Sequence, residues 1–237
     1  PKAQASYDIF SFTDEPFADN AQINYDRYKT VGYQFGLIIG FEFLKNVSSL
    51  IEPSFTSYHY SYSIDYYWAS VENQNQNVTI NYNHQNQLQY FELPFAVKYQ
   101  LLSNKIKPYV QGGIYWGKML NATKDVEESL TDNAAGNTVF EKNNYAGRVE
   151  KLYEPSNWGL LAGGGCTYNL GNARLGIEVN YKMGMKNISD PRARFSDSQF
   201  VSGTFDAQDD LKMNQLELSF IVVMPLKFIT SKDYVPL

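Results

Sequence analysis

The chain has 237 residues and a net charge of −5, and 16% of it is aromatic, with 19 Tyr and 15 Phe. The acidic balance argues against nucleic acid as a partner. A single cysteine, Cys166, leaves no internal disulfide framework and no cysteine-based metal site, and no run of 18 apolar residues is present to form a transmembrane helix.

The first candidate element, residues 2–12, alternates poorly, with only Tyr7, Ile9, Phe10 and Phe12 to mark it. It is expected as a strand because the count reached below is odd without it, and part of it would precede Pro1. No signal sequence is visible, so the chain reads as a mature or trimmed form from which a cleaved signal has been removed. Residues 31–43 alternate without a break. Val31, Tyr33, Phe35, Leu37, Ile39, Phe41 and Phe43 share one face, and three of the six intervening residues are glycine. A face so small and polar cannot fill the core of a soluble sandwich. Apolar outside and small or polar inside is the pattern of a strand that crosses a membrane in a barrel.

The same alternation recurs along the chain. Residues 47–62 start with Val47, Ile51 and Phe55 outward, and the aromatic positions then shift to Tyr58, Tyr60 and Tyr62, which predicts a bulge or register change near Ser57. Residues 87–101 place Phe91, Leu93, Phe95, Val97 and Tyr99 on one face. Residues 106–120 do so with Ile106, Val110, Ile114 and Trp116, and residues 158–170 with Trp158, Leu160, Cys166 and Tyr168. Residues 173–185 present Leu175, Ile177, Val179 and Tyr181, and residues 214–228 present Leu216, Leu218, Phe220 and Val222. With the N-terminal segment these make eight strands, the even number that a closed bacterial barrel takes.

The connections alternate in length. Lys45–Asn46, Ser103–Asn104 and Gly171–Asn172 read as tight turns, whereas 13–28, 63–84, 121–156 and 189–211 read as long loops. Short turns on the periplasmic side and long loops outside complete the expected fold: an all-β, single-domain, antiparallel up-and-down transmembrane barrel over residues 1–237, with 229–237 as a periplasmic tail. The four long loops hold 18 acidic and 7 basic residues, a net of −11 in a chain whose total is −5. Solvated loops account for this, and bridging by divalent cations or a charged partner outside is the functional alternative.

The strings YQFGLIIGFEF, LQYFELPFAVKYQL, KPYVQGGIYWGKML and WGLLAGGGCTYNLGNARLGIEVNYKMGMKNI resemble the PorT-like outer-membrane β-barrels of the Bacteroidetes. The resemblance rests on Phe91-Glu92-Leu93-Pro94, the Lys98-Tyr99 pair and Lys107-Pro108-Tyr109-Val110, and covers residues 29–62, 87–122 and 157–228. The N-terminal segment departs from that family's glycine-rich first strand. The family includes a component of type IX protein secretion, so the resemblance implies an outer-membrane location and, at its furthest, a part in such an assembly.

On the inward faces the alternation places Glu42, Glu92, Lys98, Lys107, Arg174, Glu178, Lys182 and Glu217. An eight-stranded barrel is just wide enough for side chains to fill, so these charges are expected to pair as a plug, with Glu92, Glu178 and Glu217 meeting Lys98, Arg174 or Lys182. The two histidines, His59 and His84, have no neighbouring Ser and Asp pattern, so no catalytic residue, cofactor or metal site is expected. Asp206, Asp209 and Asp210 are a weak calcium candidate, and a solvated acidic loop is the simpler reading. Tyr66-Tyr67-Trp68, Phe140, Tyr145, Phe195, Phe200 and Phe205 are candidate partner-contact residues on the long loops. The expected partners are outer-membrane lipid, lipopolysaccharide and other envelope proteins. The role that fits is a non-catalytic accessory or scaffold barrel. A small channel would need a continuous wet lumen, and an enzyme would need a histidine–acid–nucleophile cluster at the rim.

Overall fold

A computed structural model describes residues 2–11, 21–25, 30–69, 76–102, 105–134, 138–170, 173–204, 206 and 210–224, with backbone alone for 2–11, 21 and 22. Among these residues twelve strands form in chain order: β1 Lys2–Ser11, β2 Ala21–Tyr25, β3 Val31–Gly36, β4 Ile39–Leu44, β5 Val47–Ile51, β6 Ser54–Ala69, β7 Asn77–Gln100, β8 Ile106–Asp132, β9 Val139–Arg148, β10 Ser156–Asn169, β11 Arg174–Gly184 and β12 Lys212–Val223. A short 3-10 turn, Glu150–Leu152, separates β9 from β10.

All pairings are antiparallel. From β1 the neighbours run β12, β11, β10, β8 and β7. β7 pairs with β6, β6 with β3, and β3 with the other edge of β1. β4 and β5 continue the β3 and β6 segments toward the turn end, where Asn46 takes a φ of 70° in the β4–β5 turn, a conformation that asparagine tolerates. β2 lies against β6, and β9 against β8.

The side chains are inverted relative to a soluble protein. Phe35, Leu37, Ile39, Phe95, Val97, Ile177, Val179, Leu218 and Phe220 are all exposed, whereas Gln34, Glu92, Glu178, Asn180, Lys182, Gln215 and Glu217 are buried. Period-two alternation produces this on each strand. Aromatic residues mark one margin of the apolar band, where Phe35 faces Phe55, Phe55 faces Phe91, and Trp116 faces Trp158. Tyr99 and Tyr168 mark the other margin, opposite Val110 and Ile106. Glycine makes room inside: a Cβ at Gly163 would stand 2.0 Å from Asn180 Oδ1 and 2.5 Å from the Val179 carbonyl, so a larger residue there would displace the asparagine and push β11 away from β10.

Several expectations are corrected. There is no register change near Ser57, because β6 pairs continuously from Ser54 to Ala69 and its inward residues keep one parity. Tyr58, Tyr60 and Tyr62 are buried in the interior, so the aromatic positions shift because the tyrosines turn inward. The break lies at Glu52–Pro53, between β5 and β6. The run 31–43 is divided at Leu37–Ile38, where the Leu37 amide turns to the Pro53 carbonyl. Much of the length assigned to loops is strand: β6 and β7 extend the hairpin to Ala69 and Asn77, and β8 and β9 form a second long hairpin. The expected turns at Ser103–Asn104 and Gly171–Asn172, the end of the last strand beyond 224 and the tail 229–237 lie outside the described residues.

The apolar core sits at the long-loop end. Tyr60, Tyr62, Tyr66, Tyr82, Leu88, Ala122 and Val126 on the inner faces of β6–β8 pack against Leu152, Tyr153, Ile188, Val201, Leu211 and Met213. The extended hairpins are therefore a sheet backed by the segments 149–153 and 188–204 and by Leu211.

This arrangement predicts that Leu218→Arg, in the exposed apolar face of β12, lowers unfolding free energy by about 2–4 kcal/mol in lipid vesicles. Unchanged stability by urea titration would mean that this face meets water.

Candidate functional site

Three strands bring one ammonium between two carboxylates inside the sheet. Lys182 on β11 places Nζ 2.8 Å from Glu92 Oε2 on β7 and 2.7 Å from Glu217 Oε1 on β12, and all three side chains are about 1% exposed. Gln34 on β3 accepts a further bond from Lys182 at 3.2 Å and donates to Ser54 Oγ at 2.8 Å. Glu92 also accepts from Thr56 Oγ1 at 3.2 Å and from the Tyr58 hydroxyl. The Lys182 ammonium lies 5.5 Å from the Tyr115 ring centroid. Charges so buried persist only when paired and hydrogen-bonded, and here the lysine carries much of that compensation.

A second polar layer lies toward the turn end. Glu178 accepts from Tyr109 Oη at 2.6 Å and Asn180 Nδ2 at 2.6 Å, and Gln111 Nε2 donates to Asn180 Oδ1 at 2.9 Å. Lys98 sits 3.3 Å above the Tyr109 ring centroid.

Of the eight charges expected in one network, Glu92, Lys182 and Glu217 meet directly, and Glu178 accepts from Tyr109 and Asn180. Glu42 is exposed, because β4 is paired with β5 alone among the described strands and its inner face stands open. Lys107 and Arg174 are half-buried near the turn end. Arg174 is eight residues from Lys182 along β11, about 26 Å at strand spacing, too far to join the hub.

The long-loop end holds a cluster that sequence reasoning assigned to solvent. Lys124 on β8 places Nζ 2.5 Å from Asp206 Oδ2 and donates to the Tyr62 hydroxyl at 3.0 Å. Tyr62 itself donates to Asp206. His84 on β7 stacks on Tyr62 with ring centroids 4.6 Å apart and its Nδ1 3.9 Å from Asp206 Oδ2. Burial first, then the nearby Lys124 charge, push the His84 imidazole down to about 3, against an opposing pull from Asp206. Burial would raise the Asp206 carboxyl, but Lys124, His84 and the bonds from Lys124 and Tyr62 together hold it below the usual carboxylate range. Asp206 is thus tied to the inner face of the sheet and is buried, not solvated. Asp209 lies outside the described residues, and Asp210 is an exposed acceptor for Arg194. The missed signal was the alternation Tyr82, His84, Asn86, Leu88, hidden by the weak strand preference of the asparagines and glutamines between them.

The candidate contact residues divide. Tyr67, Trp68, Phe140 and Phe195 are exposed. Tyr66 is buried with Trp68 stacked on it at 5.7 Å, Tyr145 is half-buried and donates to Glu128 Oε2 at 2.8 Å, and Phe200 packs against the core. Phe205 lies outside the described residues. His59 is half-buried on the outer face beside Tyr33. Cys166 is exposed on the apolar band. No cluster of three metal-ligating side chains forms among the described residues.

A family model described as "Outer membrane protein beta-barrel domain" matches residues 6–190. No curated protein matches the chain. Among solved structures it is similar to Neisserial surface protein A, at 11% identity over 94% of this chain and 95% of that one, with a TM-score of 0.36. It is also similar to Ail, the attachment invasion locus protein of Yersinia pestis, in complex with the heparin analogue sucrose octasulfate, at 12% identity over 94% and 98% of the two chains and a TM-score of 0.30.

Lys182→Met is expected to destabilise the protein by about 3–5 kcal/mol, because it leaves Glu92 and Glu217 buried together without their cation. Adding Glu92→Gln and Glu217→Gln should recover most of the loss in vesicle unfolding titrations, and an equal loss in the triple variant would show that packing alone is at stake.

A pH effect follows from His84. Its folded value lies below the ordinary 6.5, so its contribution to stability is fully present above pH 6.5 and weakens as pH falls toward about 3. Urea midpoints at pH 7.5 and 5 should differ more in the wild type than in His84→Phe, which keeps the stack on Tyr62 and cannot take a proton.

Proposed function

The chain belongs to the outer-membrane β-barrel family and is a protein of the bacterial outer membrane, and from this we propose that it is a non-catalytic, eight-stranded surface barrel that presents its extracellular hairpins to other envelope components. The eight members are β1, β3, β6, β7, β8, β10, β11 and β12, with the β1–β3 pairing as the seam. The observation that carries the functional reading is the filled interior. The Lys182 hub occupies one level, and the Asp206 anchor with the backing tyrosines occupies the other.

With its interior occupied, the protein meets its surroundings through the sheet that stands above the membrane and through its turn end. Tyr67 and Phe140 are exposed there, on a face where Tyr67 pairs across to Thr79, Thr79 to Thr131, and Thr131 to Phe140. Exposed aromatics at the centre of a small patch are the residues that anchor protein partners. The role is that of an accessory or scaffold subunit of an envelope assembly. The resemblance of the strand motifs to the PorT-like barrels makes type IX secretion the first assembly to test.

Replacing residues 128–143 by a two-residue turn removes the β8–β9 tip and spares Lys124. The shortened protein should still migrate as a heat-modifiable folded barrel and should lose its co-purifying envelope partners when solubilised membranes are read by mass spectrometry. Retention of every partner would move the binding surface elsewhere.

A further inference from the structure

The outer face of the extracellular sheet changes character within a single strand. On β7 the outward residues Phe91, Leu93 and Phe95 are apolar, whereas Asn81, Asn83, Gln85, Gln87 and Gln89 beyond them are neutral amides. Serines flank them on β6, where Ser61 pairs with Gln85 and Ser63 with Asn83. Asp125 and Glu127 flank them on β8, opposite Gln85 and Asn83. This composition runs against local preference, since asparagine is depleted from strands, and such conflicts gather where a surface has a function. Apart from the Lys142–Glu127 pair beside it, the β7 stretch 77–89 carries none of the lysine and glutamate that an ordinary solvated sheet face intersperses.

Amides at the margins of this face are fixed in place. Gln87 Nε2 donates to Ser57 Oγ at 3.0 Å, Asn121 Nδ2 to Gln89 Oε1 at 3.3 Å, and Asn24 Nδ2 to Asp65 Oδ2 at 3.2 Å. Each amide has two donor hydrogens and two acceptor lone pairs, more than one such bond uses. Across β7–β9 this face is dished into a shallow open groove lined by Asn83, Gln85, Asp125, Glu127, Asn144 and Ala146. Paired amides and carboxylates on a rigid sheet match the vicinal hydroxyls of sugars. Asp125 disfavours phosphate and sulfate there, while Glu127 is paired with Lys142.

Position selects the source of the sugar. Asn83 lies eight residues beyond Phe91, about 26 Å along the strand and about 20 Å above the hydrocarbon edge at a tilt near 40°. The headgroup layer is only about 5–8 Å deep. The groove is thus continuous with the lipid-facing surface of the same strands but stands in the layer occupied by the saccharide chains of lipopolysaccharide. We propose that this groove binds the neutral outer sugars of the lipopolysaccharide surrounding the barrel. The proposal does not depend on whether the hairpin tips carry a protein partner.

The test uses the full chain in phosphatidylcholine nanodiscs and follows the side-chain amide resonances of its asparagines and glutamines by NMR. Smooth lipopolysaccharide with a neutral O-polysaccharide should shift Asn83, Gln85 and Asn144 in a saturable way, and rough lipopolysaccharide truncated to the phosphorylated inner core should not. The near-isosteric triple variant Asn83→Asp, Gln85→Glu, Asn144→Asp should weaken the response to smooth lipopolysaccharide at least tenfold, read on the neighbouring Gln87 and Asn81 resonances. Gln85→Ala should weaken it less. No shifts with either lipopolysaccharide, equal shifts with both, shifts confined to the hairpin tips, or an unweakened response in a folded triple variant would each overturn the proposal.

Discussion

Hydrocarbon offers no hydrogen-bond partner, so a strand that crosses it must pair along both edges with other strands. Among the described strands that requirement is met by the run of pairings from β3 through β1, β12, β11, β10, β8 and β7 to β6, and by the contact of β6 with β3, while β4 is paired on one edge, by β5. Pairing of this kind leaves each strand one face toward lipid and one toward the interior, and period two then decides which side chains go where. The interior inherits every polar group that lipid would reject. It must compensate them, and Lys182 between Glu92 and Glu217 is the clearest example.

The same constraint explains what was legible in the sequence. Lipid tolerates only apolar side chains, so the outward faces of residues 31–43, 87–101 and 173–185 repeat a strong signal. The N-terminal strand was readable from the parity of the count, since its own residues alternate poorly. The interior was readable as a set of charges with several candidate pairings, among them the contacts of Lys182 with Glu92 and Glu217, but not as one definite set of contacts. Which carboxylate meets Lys182 depends on stagger between strands, which no spacing within one strand encodes. Hence Glu92 and Glu217 lie beside it, while Arg174, of the same parity on the same strand, is a strand-length away.

Above the membrane the signal weakens, for a physical reason. Once both faces of a strand meet polar surroundings or a small local core, the outward residues need not be apolar. The Asn/Gln-rich stretch of β7 and the glutamate-rich end of β8 then read as loop. The inward parity Tyr82, His84, Asn86, Leu88 was present but could be recognised only with its partners, Tyr62 across the hairpin and Val126 on β8. The burial of Asp206 was not legible at all. It belongs to an irregular segment, and its partners Lys124 and Tyr62 stand 82 and 144 residues away in the chain.

A filled interior is the claim on which both the scaffold reading and the emphasis on the outer surface rest. Purified full-length protein reconstituted into planar lipid bilayers tests it directly. The account predicts no steady ion current above that of the bare bilayer, because the Lys182 hub and the Asp206 anchor block the path at two levels. Stable, reproducible conductance steps from the wild-type protein would contradict it and would make the chain a channel.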